Sequence, residues 1–158
     1  MALHQGEKAP DFSLYDDEQN PVRLGDLDDP VLLLFFPGAF TSVCTNEMVA
    51  VSDDLERYAD RNVQVYGIST DAPPVLAEFR ERHEIQFPLL SDHDAEAAAA
   101  YEAKYDGNFT PMNLDRVAKR AAYLIDRAGR IRYAEVLDDA GQQPDFEAIR
   151  EKMNVLGA

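Results

Sequence analysis

Residues 31–44 of this chain read VLLLFFPGAFTSVC. The first six are apolar without interruption, which is typical of a strand buried on both faces of a sheet. Pro37 has no N–H to donate to a sheet ladder, so it ends the strand and fixes the following turn. Helical periodicity begins soon afterwards. The pattern therefore predicts a strand, a tight turn and a helix, with Cys44 in the first turn of that helix.

Cys44 is the single cysteine of 158 residues. Free N–H groups and the positive end of the dipole meet at a helix start, and both favour a thiolate. Thr41 is placed to cap the helix with its hydroxyl and to lie beside the sulfur. Glu47 would oppose thiolate formation unless a cation intervenes. The alternative is that Cys44, which shares a helical stripe with Met48, is a small apolar packing residue.

The spacing Pro37-x-x-x-Thr41-x-x-Cys44, with Glu47 following, resembles the active-site signature of the peroxiredoxins, the alkyl hydroperoxide reductase and thiol-specific antioxidant family. Three more segments resemble that family in the same order along the chain: GEKAPDF at 6–12, FPLLSD at 87–92 and RAAYLIDRAG at 120–129. Because the resemblance covers nearly the whole chain, it implies a thiol-dependent peroxidase of thioredoxin-like fold.

The resemblance identifies Arg120 as the active-site arginine. A two-unit fall in the pKa of a thiol requires roughly 2.7 kcal/mol, whereas a helix N-terminus supplies about 0.3–2 kcal/mol. A guanidinium in contact with the sulfur would close that gap. Arg127 is the competing candidate, but it falls in a predicted hairpin turn and should face solvent. The Thr41 hydroxyl, the Cys44 N–H and the Arg120 fork are suited to hold both peroxide oxygens.

The expected reaction follows the one-cysteine type of this family. The Cys44 thiolate attacks hydrogen peroxide or a small organic hydroperoxide and becomes a sulfenic acid. With no second cysteine available, an external thiol must reduce it: thioredoxin, glutaredoxin or a low-molecular-weight thiol. Pro37 and Glu47 are expected to support the substrate pocket. The resemblance also implies a homodimer.

No metal, haem or flavin is expected. His4, His83 and His93 have no metal-ligand spacing with Cys44. Two functions of other classes stay open. One is a catalytically silent thioredoxin-like binding module, against which the intact set of Thr41, Cys44 and Arg120 argues. The other is a peroxide sensor or holdase, which would need the same reactive thiolate.

The charge balance is strongly acidic, with 30 acidic against 15 basic residues and a net charge of −15. Nucleic acid and anionic membranes are poor partners for such a surface. We interpret the acidity as adaptation to high salt; the alternative is an ordinary acidic protein. The apolar run at 31–36 is far shorter than the roughly 20 residues that cross a bilayer. A lone cysteine and no visible secretory signal suggest a cytoplasmic protein.

The coarse pattern predicts one domain over residues 1–158 with a thioredoxin-like α/β fold, in which helices flank a central mixed sheet that follows an N-terminal hairpin. The expected strands are 12–15 and 22–24 in that hairpin, 31–36, 63–69, and a second hairpin of 121–125 and 131–136. The expected helices are 44–59, one starting at 71–74, 95–105 and 145–154.

Overall fold

The computed structural model describes residues 3–105, 116–139 and 141–156. Its strands are β1 Ser13–Asp16, β2 Pro21–Arg23, β3 Val31–Phe35, β4 Gln64–Ser69, β5 Leu89–Ser91, β6 Arg120–Ile125 and β7 Ile131–Leu137. Its α-helices are α1 Ser42–Asp53, α2 Leu55–Ala59, α3 Pro73–Arg82, α4 Glu96–Ala100 and α5 Phe146–Leu156, and a short 3-10 turn covers Leu24–Asp26. No helix in these ranges has the length and apolar character needed to cross a membrane.

The seven strands form one mixed sheet in the order β2-β1-β5-β4-β3-β6-β7. Strands β3, β4 and β5 run parallel, β6 is antiparallel to both β3 and β7, and β1 joins β5 in antiparallel pairing. The predicted thioredoxin-like class is confirmed. The N-terminal hairpin is also confirmed, and it extends the central sheet at one edge.

Every residue of β3 is buried, as its uninterrupted apolar sequence predicts. Leu33 and Phe35 enter one apolar cluster, whereas Leu32 and Leu34 enter a second cluster on the other face. This alternation follows from the two-residue period of a strand. The second cluster contains Cys44 and residues of α1, α3 and α5, so the thiol belongs to the core on that face.

The register between β3 and β6 brings the site together. Phe35 pairs with Ala121 in this antiparallel ladder. One position further along, Arg120 therefore lies opposite Phe36, where the chain leaves β3. Phe36 still donates its N–H to Ile68 O at 2.9 Å. Pro37 follows at the predicted strand end and is buried. The carboxyl ends of β3 and β4 therefore lie beside the amino end of β6.

Two helix predictions were wrong in extent. The helix expected at 44–59 is two helices, separated at Asp54. The helix expected at 95–105 covers only Glu96–Ala100. Glu102 has a left-handed φ of 54°, and the chain beyond it pairs with residues 117–119, where Lys119 N–H donates to Ala103 O at 2.6 Å. Tertiary pairing thus overrides the helix propensity of an alanine-rich segment.

Candidate active site

Cys44 lies in the first turn of α1, which begins at Ser42. Its side chain is 1% exposed and packs in the apolar cluster with Met48 and Leu34. The packing interpretation is therefore partly correct, since the thiol does fill core space. However, its sulfur also accepts a hydrogen bond from Arg120 Nη2 at 3.1 Å. The thiol therefore both packs in the core and contacts a buried guanidinium.

Arg120 is the first residue of β6 and is 1% exposed. Its Nη1 forms an ion pair with Glu47 Oε1, while its Nη2 reaches the sulfur. Burial opposes the charge of the guanidinium, but Glu47 and Cys44 together raise the pKa of Arg120 above its ordinary value. The guanidinium is the cation that the proximity of Glu47 to the thiol requires.

Glu47 is fully buried in the second turn of α1. Burial raises its pKa from 4.5 to about 7, although the charge and hydrogen bond of Arg120 act in the opposite direction. Among the described residues, Glu47 Oε2 meets no hydrogen-bond donor. The carboxyl group contacts Arg120 and so acts on the site through that residue.

Thr41 occupies the N-cap position of α1, but its hydroxyl makes no capping bond to the helix. That prediction was wrong. Thr41 Oγ1 instead donates backwards to Gly38 O at 2.8 Å. A carbonyl oxygen can only accept, so the hydroxyl proton points to Gly38 and the oxygen keeps its lone pairs for another donor. Thr41 is exposed at the start of the helix.

The turn between Pro37 and Thr41 contains an unusual backbone conformation. Phe40 adopts a φ of 64°, a left-handed conformation that is uncommon for residues other than glycine. Its ring packs edge-on against Phe79 of α3 at 5.2 Å between centroids, and Arg82 lies over the same ring at 5.5 Å. The loop is thereby pressed against α3.

Two residues of the site, Asp71 and Ser69, were missed by sequence reasoning. Asp71 Oδ2 accepts the Ala39 N–H at 2.7 Å and the Ser69 hydroxyl at 2.7 Å. From the sequence, Asp71 was expected only to start the helix at 71–74. The available signal was the polar Ser-Thr-Asp run at the end of β4, because functional groups collect at the carboxyl ends of parallel strands.

The other candidates lie elsewhere. The Arg127 side chain is 63% exposed, lies in the β6–β7 turn at the far end of β6 from Arg120, and is 3.8 Å from Asp29. His83 terminates α3 and packs on Phe79 at 5.3 Å between ring centroids. Within the described ranges, no three His, Cys, Asp or Glu side chains gather as metal ligands would.

Comparison with known proteins assigns the family. The model of the AhpC/TSA family matches residues 5–134. Peroxiredoxin Bcp of Escherichia coli strain K12 is 35% identical over 138 residues, covering 87% of this chain and 86% of the relative. The putative peroxiredoxin Rv2521 of Mycobacterium tuberculosis strain H37Rv is 35% identical over 134 residues, which cover 84% of this chain and 85% of the relative.

Solved structures agree with the sequence relatives. The crystal structure of peroxidoxin BcpB from Mycobacterium tuberculosis superimposes with a TM-score of 0.85 at 26% identity, covering 98% of both chains. Reduced 2-Cys peroxiredoxin from Plasmodium vivax gives a TM-score of 0.84 at 25% identity, over 96% of this chain and 81% of the other. These relatives do not favour a sensor or holdase. The chain belongs to the AhpC/TSA family and is a peroxiredoxin, a thiol-dependent peroxidase.

Proposed function

We propose that Cys44 is the peroxidatic nucleophile and that the enzyme reduces hydrogen peroxide and small organic hydroperoxides. The observation that supports this most is the 3.1 Å hydrogen bond from Arg120 Nη2 to Cys44 Sγ. Both side chains are 1% exposed, so the guanidinium acts on the sulfur at short range with little screening by water.

The reaction proceeds in three balanced steps. The Cys44 thiolate attacks the terminal oxygen of ROOH; an S–O bond forms, the O–O bond breaks, and RO⁻ takes a proton from solvent and leaves as ROH. The sulfur is oxidised to a sulfenic acid and the peroxide is reduced. One external thiol then displaces water to form a mixed disulfide, and a second releases Cys44 as a thiol.

Arg120, Thr41, Pro37 and Glu47 support this chemistry in different ways. Arg120 holds the thiolate and donates towards the peroxide as negative charge develops. Thr41 Oγ1, whose proton is directed to Gly38 O, accepts the peroxide O–H. Pro37 ends β3 and shapes the loop. Glu47 holds the Arg120 guanidinium in position through the buried ion pair between them.

The external reductant is thioredoxin, glutaredoxin or a low-molecular-weight thiol. An external reductant is supported by the sequence, which contains one cysteine and therefore cannot form an internal disulfide. Because Cys44 Sγ is buried, a small thiol needs less rearrangement of α1 than a protein does. Steady-state turnover with each donor, at matched thiol concentration, distinguishes them.

We further propose that residues 1–158 form one domain that acts as a cytoplasmic homodimer. The single sheet supports one domain, and an unpaired thiol suits a reducing compartment. The family resemblance supports the dimer, which light scattering tests. We also propose that the net charge of −15 reflects adaptation to high salt.

The test of the nucleophile is Cys44→Ser. The substitution is nearly isosteric, so the fold should be retained while peroxide consumption falls to the uncatalysed rate. Circular dichroism checks the fold, and loss of peroxide in the presence of reductant measures activity. Consumption by Cys44→Ser at the parent rate would show that another group performs the reaction.

A further inference from the structure

Asp71 is fixed to the ends of two neighbouring strands. Ser69 ends β4, Ser91 ends β5, and the two are register partners in the parallel ladder. The Ser69 hydroxyl donates to Asp71 Oδ2 at 2.7 Å, and the Ser91 hydroxyl donates to the Asp71 carbonyl at 2.7 Å. Ser69 Oγ also accepts the Asp71 N–H at 3.2 Å. Both the side chain and the backbone of Asp71 are therefore anchored to the sheet.

From this anchor the carboxylate reaches the loop that precedes the thiol. Asp71 Oδ2 accepts the Ala39 N–H at 2.7 Å, across 32 positions of sequence. Ala39 N and Gly38 O belong to the same peptide group, and Gly38 O accepts the Thr41 hydroxyl at 2.8 Å. One peptide plane is thus held at both ends, by a carboxylate on its N–H and by a hydroxyl on its carbonyl.

This arrangement has an electrostatic consequence. A hydrogen bond to a carboxylate is stronger than one to a neutral acceptor, and it polarises the peptide so that the carbonyl accepts more strongly in turn. The Thr41 hydroxyl is then held in its hydrogen bond to Gly38 O. The next residue, Phe40, has its φ of 64°, and such a conformation persists only where surrounding contacts impose it.

We propose that Asp71 is a positioning residue of the peroxidase reaction, which acts on the bound peroxide by fixing the Gly38–Ala39 peptide and thereby the orientation of the Thr41 hydroxyl. The inference rests on the proposed roles of Cys44 and Thr41. Asp71 itself touches neither the sulfur nor the substrate in this mechanism. Its effect is transmitted through one peptide group.

The test is the second-order rate constant for oxidation of the thiol by hydrogen peroxide. Because the sequence contains one cysteine, alkylation of the remaining thiol at timed points reports Cys44 alone. Asp71→Ala should lower the rate constant roughly tenfold to hundredfold, as expected when reacting groups lose their alignment. Asp71→Asn should give a smaller loss than Asp71→Ala, because the amide oxygen can still accept the Ala39 N–H but lacks the charge that strengthens this bond.

A double mutant separates positioning from general loss of structure. If Asp71 acts through the Thr41 hydroxyl, Asp71→Ala should slow the parent but not a Thr41→Val variant, because the group being oriented is already absent. Equal slowing in both backgrounds would overturn the proposal, as would an unchanged rate in folded Asp71→Ala. Failure of the nucleophile assignment is distinct, since it requires activity in Cys44→Ser.

Asp17→Ala is the matched control. Asp17 is a buried carboxylate that accepts the Leu89 N–H at 3.1 Å and pairs with Arg80 at 3.2 Å. That substitution should lower the unfolding midpoint without changing the rate constant. Should Asp71→Ala fail to fold, Ser69→Ala takes its place, because it removes the hydroxyl that fixes the carboxylate. A severalfold loss of rate is expected there, and an unchanged rate would overturn the proposal.

Discussion

Arg120 donates from one nitrogen to Cys44 Sγ at 3.1 Å and from the other to Glu47 Oε1, although 76 positions separate the arginine from the cysteine. Cys44 and Glu47 are three residues apart on α1, so they project from the same helix face. One guanidinium fork spans them both. The sulfur and the carboxyl group are therefore coupled through a single cation, and each of the three side chains affects the other two.

The first prediction concerns the two candidate arginines. Arg120→Ala should lower the rate constant with hydrogen peroxide by about 10²–10³, the effect typical of losing a donor aimed at developing charge. The thiolate absorbance at neutral pH should fall as well. Arg127→Ala is the control, because its side chain is exposed at the other end of β6, and it should change neither quantity. An effect at Arg127 with none at Arg120 contradicts the assignment.

The second prediction separates catalysis from stability in the buried pair. Above about pH 8, where Glu47 is charged, Arg120→Ala leaves it without its cation, and breaking such a buried pair typically destabilises by about 3–5 kcal/mol. Replacing both partners, with Glu47→Gln and Arg120→Met, removes the uncompensated charge and should recover most of that loss in urea unfolding. The peroxidase rate should not recover. Recovery of the rate in this double variant would show that charge on residue 120 is unnecessary.

The third prediction is a pH dependence of stability. The folded-state pKa of Glu47 is raised from 4.5 to about 7 by burial, so the folded state binds this proton more tightly than the unfolded chain does. That stabilisation is fully present below about pH 4.5 and is lost as pH rises through about 7, by about 3 kcal/mol in total. Urea unfolding between pH 5 and about pH 8 measures it.

Glu47→Gln is the control for that pH dependence. Glutamine keeps the size of the side chain without the titrating proton, so the parent-minus-variant difference in unfolding free energy should decline across this pH range. A difference that stays constant with pH contradicts a raised pKa at Glu47. Other carboxyl groups titrate in both proteins and cancel in the comparison.

The fourth prediction concerns the oxidised thiol. Without reductant, each chain should consume about one peroxide and stop, since no second cysteine exists to regenerate Cys44. Intact mass should then show one added oxygen, and excess peroxide should add more irreversibly. Burial of Sγ disfavours a disulfide between two chains. Rapid, complete cross-linking on a non-reducing gel would instead identify a second subunit as the resolving partner.

The fifth prediction concerns salt. The net charge of −15 makes the folded surface repel itself, and the screening length falls to about 3 Å at 1 M salt. The thermal midpoint should therefore rise with potassium chloride. The rate of Cys44 oxidation should change little, because the Arg120 contact is buried. A midpoint that falls with added salt contradicts adaptation of this surface to high ionic strength.

Sequence alone determined the features that depend on neighbours in the chain. The apolar run predicted a buried β3, Pro37 predicted its end, and the periodicity that follows predicted a helix with Cys44 in its first turn. These are local properties, because strand and helix periods and the geometry of proline operate over a few residues. The family, and through it the choice of Arg120, came from motifs that occur along the chain in the order typical of that family.

Tertiary structure alone decided which distant groups meet. The register of β6 on β3 brings Arg120 to Cys44 and Glu47, and a loop contact across 32 positions brings Asp71 to Ala39. Strand β5 escaped prediction because it pairs only with β1 and β4, which are distant along the chain, so no adjacent strand marks it as half of a hairpin. The Thr41 hydroxyl donates to Gly38 O instead of capping α1. A side chain with several possible partners binds the one that the folded chain places within reach.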